Sequence, residues 1–421
     1  MSNIFVKRFT LFSPHVMISG MNEIAKDTNS VYLDYAAATP LLPAAFVAME
    51  PFLRLEYGNP NSIHKLGVRA RQAVELARAQ VAQAVQVRPE YVIFTGGGTE
   101  GNNLALLGVI ESLRKEGREY AYMEVVTTKI EHPSITKTME KLAELGVTVK
   151  YVAVDTEGRI VLADLKELLS AKTVLVSCAY ANSEIGTVQA LRQIGKVIAE
   201  AEKKYNTIIY FHVDAAQAPL WLSCQFDSTG ADFLVLDAAK CCGPKGVGVL
   251  VKSKRATLSP IMFGGGQEQD LRSGTENVAG IVGAGVAFQA AQADWRERAE
   301  RVIQVRNQAI LHLMDVIPEM VLNGALGDNR LANNINISIP GLDTEYATVV
   351  LDTHGFAVST KSACAGAGGG ESVVVREISA DPARAASTLR ISLSPDTTLE
   401  QIKSLTAVLK KHIEQMKRLT S

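Results

Sequence analysis

The chain has 421 residues, 47% hydrophobic and 21% charged, with 43 basic against 44 acidic side chains and a formal net charge of −1. That length exceeds what one hydrophobic core spans, so two domains are expected; the composition excludes disorder, and the balanced charge without a basic run excludes nucleic acid as a primary partner. No apolar run approaches bilayer length, and the five cysteines (Cys178, Cys224, Cys241, Cys242, Cys364) have neither zinc-type nor secreted-framework spacing, so a cytoplasmic protein without membrane span or metal site is expected.

Residues 1–30 carry Lys7 and Arg8 but also Glu23 and Asp27, and read as an N-terminal extension rather than a targeting segment. Residues 66–85 form an amphipathic helix, with Val74, Ala77 and Val81 at helical spacing. Tyr91-Val92-Ile93-Phe94 reads as a buried strand that stops at Gly96-Gly97-Gly98, with the next helix starting near Asn102. The runs 173–178, 207–213, 233–236 and 247–251 have the length and β-branched character of core strands, and a helix over 191–204 lies between two of them. Such alternation predicts an α/β architecture with a mainly parallel sheet covered on both faces. After about Ala290 the texture changes to a charged helix (295–313), a strand (334–339) and a final amphipathic helix (398–419), the pattern of a smaller α+β domain. The stretch 365–370 is low in complexity, and no internal repeat is present.

Ligands of open α/β sheets sit at the carboxyl ends of the strands. Four polar clusters fall there. Thr95-Gly96-Gly97-Gly98-Thr99-Glu100 can offer backbone amides and a helix N-terminus to an anion, although a glycine triplet is as often a tight turn. Asp214 directly follows one strand, and Lys240 follows another ahead of Gly243-Pro244-Lys245-Gly246. A lone lysine or aspartate at a strand end is usually solvated surface. Together they answer one chemical need: a lysine forms a Schiff base with a carbonyl cofactor, and a carboxylate keeps a pyridine nitrogen protonated. The fourth cluster, Ala181-Asn182-Ser183-Glu184, could orient a carboxylate or simply form an Asx turn.

These clusters belong to an ordered series of motifs. It includes Leu33-Asp34-Tyr35, Gly58-Asn59-Pro60, Gly98-Thr99-Glu100 with Asn103, Glu131-His132, Asn182 to Gly186, Asp214 with Gln217, Lys240, Arg272-Ser273-Gly274-Thr275, Ser362-Ala363-Cys364 and Leu389-Arg390-Ile391. From about Val31 to Lys410 the chain resembles the cysteine desulfurases of the NifS and IscS kind, in the class V aminotransferase group of fold-type I enzymes dependent on pyridoxal 5′-phosphate (PLP). The resemblance implies a seven-stranded, mainly parallel sheet in a large domain (46–289) and a small α+β domain (31–45 plus 290–421). It also implies a role for each site residue. Lys240 carries PLP and moves protons, Asp214 pairs with the pyridine nitrogen, Gln217 contacts the ring oxygen and His132 stacks on the ring. Gly98 and Thr99 bind the phosphate, and Thr275 reaches the phosphate of the other subunit of a homodimer. Asn182 and Arg390 hold the carboxylate of L-cysteine, and Cys364 takes its sulfur as a persulfide destined for acceptor proteins, leaving alanine. Cys364 also stands out without the family, because the glycine-rich run after it builds neither helix nor strand and suits a delivering nucleophile.

The chain departs from the family before the PLP lysine, where Asp237, Ala238 and Ala239 replace serine, glycine or alanine, and histidine. Alanine offers the phosphate no donor, and at an effective dielectric near 20 a carboxylate about 4 Å from it costs roughly 4 kcal/mol per unit charge. Cys241-Cys242 replaces a bulky pair, and Ser394-Pro395 stands where an arginine is common. Weakened PLP binding is therefore expected. Two other readings follow: a related PLP lyase or transaminase such as a selenocysteine lyase, and a non-catalytic sulfur-transfer scaffold. Cys364 speaks against the transaminase, and the joint presence of Lys240, Asp214, His132 and Cys364 against the scaffold.

Overall fold

The computed structural model describes residues 30–360 and 370–420; Cys364 and the predicted extension before Ser30 lie outside the described residues. In chain order the first half runs β1 (Val31–Tyr32), α1 (Pro43–Arg54), α2 (Lys65–Val85), β2 (Val92–Thr95), α3 (Gly98–Lys115), β3 (Glu124–Thr127), α4 (Pro133–Glu144), β4 (Thr148–Tyr151), α5 (Leu162–Leu168) and β5 (Thr173–Ala179). It continues with α6 (Leu191–Tyr205), β6 (Tyr210–Asp214), α7 (Phe226–Thr229), β7 (Phe233–Asp237), β8 (Gly248–Lys252), α8 (Val278–Ala293) and α9 (Trp295–Val316). The last part comprises β9 (Val321–Leu322), β10 (Asn334–Ser338), α10 (Thr344–Thr353), β11 (Phe356–Ala357), α11 (Val373–Ser379), α12 (Pro382–Ala386), β12 (Thr388–Ser392) and α13 (Leu399–Thr420).

Seven strands form one sheet in the order β2-β8-β7-β6-β5-β3-β4, and only β8 runs antiparallel to its neighbours. The central strands are buried along their length, which is why they read as near-continuous apolar runs rather than alternating ones. Alternate side chains still choose opposite faces: Ile93, Val235 and Leu250 pack on one core, Phe94, Leu236 and Val249 on the other. Helix α8 is apolar all round and packs on α1 and α2, so no amphipathic period marks it in the sequence.

Beyond this sheet, β12, β10 and β9 make a three-stranded antiparallel sheet, and β1 pairs in parallel with β11. The Ser392 amide donates to Leu33 O at 2.7 Å, tying the start of the chain to β12. Two boundaries correct the sequence reading. The strand expected from 207 begins at Tyr210, because Asn206 ends α6 in a left-handed cap and Ile208 is exposed on the connection. The helix expected near Asn102 begins at Gly98, so the glycine run itself is the helix N-terminus. Gly97 allows this abrupt entry, with φ +148°.

Candidate active site

The carboxyl ends of β5, β6 and β7 lie side by side, and each delivers part of one cavity of about 160 Å³. Asp214 closes β6, Asp237 closes β7, Lys240 ends a short 3-10 turn over 238–240, and Asn182 follows β5. The N-terminus of α3 adds Gly98 and Thr99, the start of α4 adds His132, and β12 adds Arg390. Gln217 lines the same cavity, so all predicted residues among those described meet there except Thr275, which is exposed on another loop.

Asp214 is buried and held from both sides. Its Oδ1 accepts from the Ala216 amide at 3.0 Å and its Oδ2 from Asn102 Nδ2 at 2.9 Å. Asn102 also donates to Ser134 Oγ at 2.9 Å, which leaves its Oδ1 facing His212 Nε2 at 3.2 Å. Burial pushes the His212 imidazole down to about 3, so the ring is neutral; Nε2–H donates to Asn102 and Nδ1 accepts from Ser177 Oγ at 2.8 Å. Asn102, Ser134 and His212 were not singled out from the sequence. The signal existed: Asn102 is polar on the buried face of α3, one turn from Leu106.

Burial also lowers the His132 imidazole, and nearby Lys240 adds to the effect while Asp214 and Asp237 oppose it. Nδ1 accepts from the Ser134 amide at 3.1 Å, which caps α4 and places the proton of the neutral ring on Nε2. At the preceding residue, burial pushes the Glu131 carboxyl up to about 8, so Glu131 is mostly protonated at neutral pH and adds little negative charge beside Asp214.

Lys240 Nζ donates to Ala36 O at 3.1 Å and to Ala37 O. Gln217 Nε2 reaches the same Ala36 carbonyl at 2.9 Å, so the segment after β1 forms one wall of the cavity. Asn182 adopts the Asx turn: Oδ1 accepts from the Glu184 and Ile185 amides at 2.9 and 3.0 Å, and Nδ2 donates to Ile130 O at 2.8 Å. Its amide is thus fixed by backbone before any ligand arrives. Arg390, only 1% exposed, pairs with Asp34 at 2.7 Å and donates to Ser183 O at 3.1 Å, while its Nε has no partner. A buried guanidinium on a cavity wall suits a carboxylate ligand.

Cys241 and Cys242 are buried, and burial raises both thiols, Cys242 to about 11. They are neutral packing groups. Asp237 does not turn away from the helix end: its Oδ2 accepts from the Gly98 amide at 2.9 Å and its Oδ1 from the Ala239 amide at 2.9 Å.

The donor set fits PLP at the ring. A lysine amine, a buried carboxylate, a neutral imidazole and an amide converge on one cavity, which Gly98 and Thr99 at the α3 end also line. The aminotransferase class-V family model matches residues 31–405. A cysteine desulfurase IscS from Dictyoglomus turgidum is 38% identical over 390 residues, covering 93% of this chain and 96% of the relative. Among solved structures, a NifS-like protein superposes with a TM-score of 0.83 at 32% identity, covering 91% of this chain and 99% of that one. SspA in complex with cysteine gives a TM-score of 0.72 at 30% identity, with coverages of 86% and 99%.

Proposed function

Because the chain belongs to the aminotransferase class-V family, we propose that this cavity is the PLP site of a cysteine desulfurase that converts L-cysteine to L-alanine and passes the sulfur to Cys364. The observation that carries the reading is the convergence of Lys240, Asp214 and His132 on one cavity at adjacent strand ends. Lys240 would bind the cofactor covalently, Asp214 would face its pyridine nitrogen, His132 and Gln217 would border the ring, and Gly98 and Thr99 would receive the phosphate. Bound there, PLP supplies an electron sink that makes the substrate's Cα proton acidic and its Cβ–S bond labile.

The chain's own groups do the rest. Arg390 and Asn182 orient the substrate carboxylate from the cavity wall. Lys240 shuttles the proton at Cα. The Cys364 thiolate forms an S–S bond with the substrate sulfur as the Cβ–S bond breaks; the electron pair stays with carbon, which takes up a proton and leaves as alanine. The persulfide then awaits an acceptor protein.

A homodimer fits this reading. Phe46, Leu53, Leu55, Tyr57, Ile63 and Phe263 are exposed apolar side chains, with Ile63 94% exposed, and a second copy would cover them and bring Thr275 towards the other cavity. The four described cysteines are free thiols, and no described helix is long and apolar enough to cross a membrane, in keeping with a reducing cytoplasmic setting. One observation favours the scaffold alternative, the Asp237 carboxylate at the α3 end. A spectrum decides between them. The purified protein supplied with PLP should absorb in the visible, and borohydride should abolish the band and leave a reduced adduct that maps to Lys240. A colourless protein with no adduct at Lys240 would leave only the scaffold.

A further inference from the structure

Strand β8 lies between β2 and β7, and its first residue, Gly248, pairs with both Thr95 and Asp237. A Cβ on Gly248 would meet Gly97 C at 2.4 Å, so only glycine leaves room for the close approach of the α3 entry to β8. Across that bare residue the Asp237 side chain reaches the helix end. Its Oδ2 takes the Gly98 amide at 2.9 Å and lies 3.2 Å from where a Gly98 Cβ would stand. The neighbouring Gly96 amide is already held by Glu100 Oε2 at 2.7 Å. Two of the amides of the glycine run therefore face carboxylates of the chain itself, at the positive end of an eighteen-residue helix.

We propose that Asp237 is an internal anion that competes with the cofactor phosphate for the N-terminus of α3, so that this site gains little affinity from the phosphate and discriminates weakly between PLP and dephosphorylated pyridoxal. The inference rests on the PLP reading of the cavity and adds a specificity determinant to it. An entering phosphate must either displace Asp237 from Gly98 or share the helix end with a like charge, whereas pyridoxal, which carries no phosphate, makes no such demand.

The test measures binding rather than turnover. Apo-protein is titrated with PLP and, separately, with pyridoxal, following the absorbance of the Lys240 adduct, for the wild type and for Asp237→Ser. Serine keeps a side-chain oxygen for the Ala239 amide, so the turn carrying Lys240 retains its cap. Removing the charge and freeing one charge-assisted hydrogen bond should tighten PLP by at least about tenfold, with pyridoxal changed less than about twofold. Asp237→Asn, which keeps the shape but not the charge, should fall between. Equal PLP affinities, or equal gains for both ligands, would overturn the inference while leaving the cofactor site intact. If neither protein formed a reducible adduct at Lys240 with either ligand, the cofactor reading would fall and this inference with it.

Discussion

Asn102 holds the centre of the site together although it touches no reacting atom in the proposed chemistry. Its amide bridges Asp214 and Ser134, which line the cavity with it, and His212 behind them. Asn102→Ala would strip one donor from Asp214 and leave His212 Nε2–H without an acceptor. A buried polar group left unpaired costs about 1–3 kcal/mol. Denaturant titration should show a loss of that size, and apo-protein should bind PLP more weakly because Asp214 is no longer fixed. An unchanged midpoint together with unchanged PLP affinity would show that water replaces the amide. Lys240 and Asp214 were legible from the sequence as residues of one cavity because Asp214 closes one strand and Lys240 ends the short turn after the next. Asn102 was not, since its partners lie 32 and 112 positions away.

At the scale of elements, the loop between β8 and α8 is clamped to the large sheet by two carboxylates. Glu268 pairs with Arg78 at 2.7 Å and accepts from the Phe94 amide at 2.7 Å, and Arg272 pairs with Glu100 at 2.9 Å. Glu268, Gln269 and Asp270 all have positive φ, a run of left-handed backbone that side-chain anchors must over-determine. Glu268→Gln would leave the Arg78 charge buried with only the exposed Glu75 nearby. Breaking a buried pair costs about 3–5 kcal/mol, and Glu75 should hold the loss to the lower end. Chemical denaturation of the variant should show it, and a loss under about 1 kcal/mol would mean that the clamp does not stabilise the fold. The strands β3 and β4 and helix α8 escaped the sequence reading for different reasons. The two strands are short, with β4 only partly buried, and α8 is buried on every side.

Over the whole molecule, the alternation of strands and helices was enough to foresee a mainly parallel sheet, and the position of Lys240 and Asp214 on it was enough to foresee the cavity. The Asp34–Arg390 pair was not foreseeable, because it joins the segment just after the first described strand to the last one across 356 positions. That pair, the β1–β11 pairing and the bond from Ser392 to Leu33 tie residues 31–34 to the last part of the chain, and on that ground we propose that residues 31–45 belong with 290–421 in a small domain. On that proposed division Arg390 would come from the small domain and Lys240 and Asn182 from the large one, so the substrate carboxylate would be held from both.

The most direct test of the central claim is to follow one sulfur atom. The PLP-loaded protein is given L-cysteine, quenched with an alkylating agent, digested and mapped, while alanine is counted in the same sample. The account predicts one added sulfur on Cys364 for each alanine formed, no added sulfur on Cys364→Ser, and neither product from Lys240→Ala. Alanine from the Lys240→Ala protein, or added sulfur on Cys241 or Cys242 with none on Cys364, would contradict it.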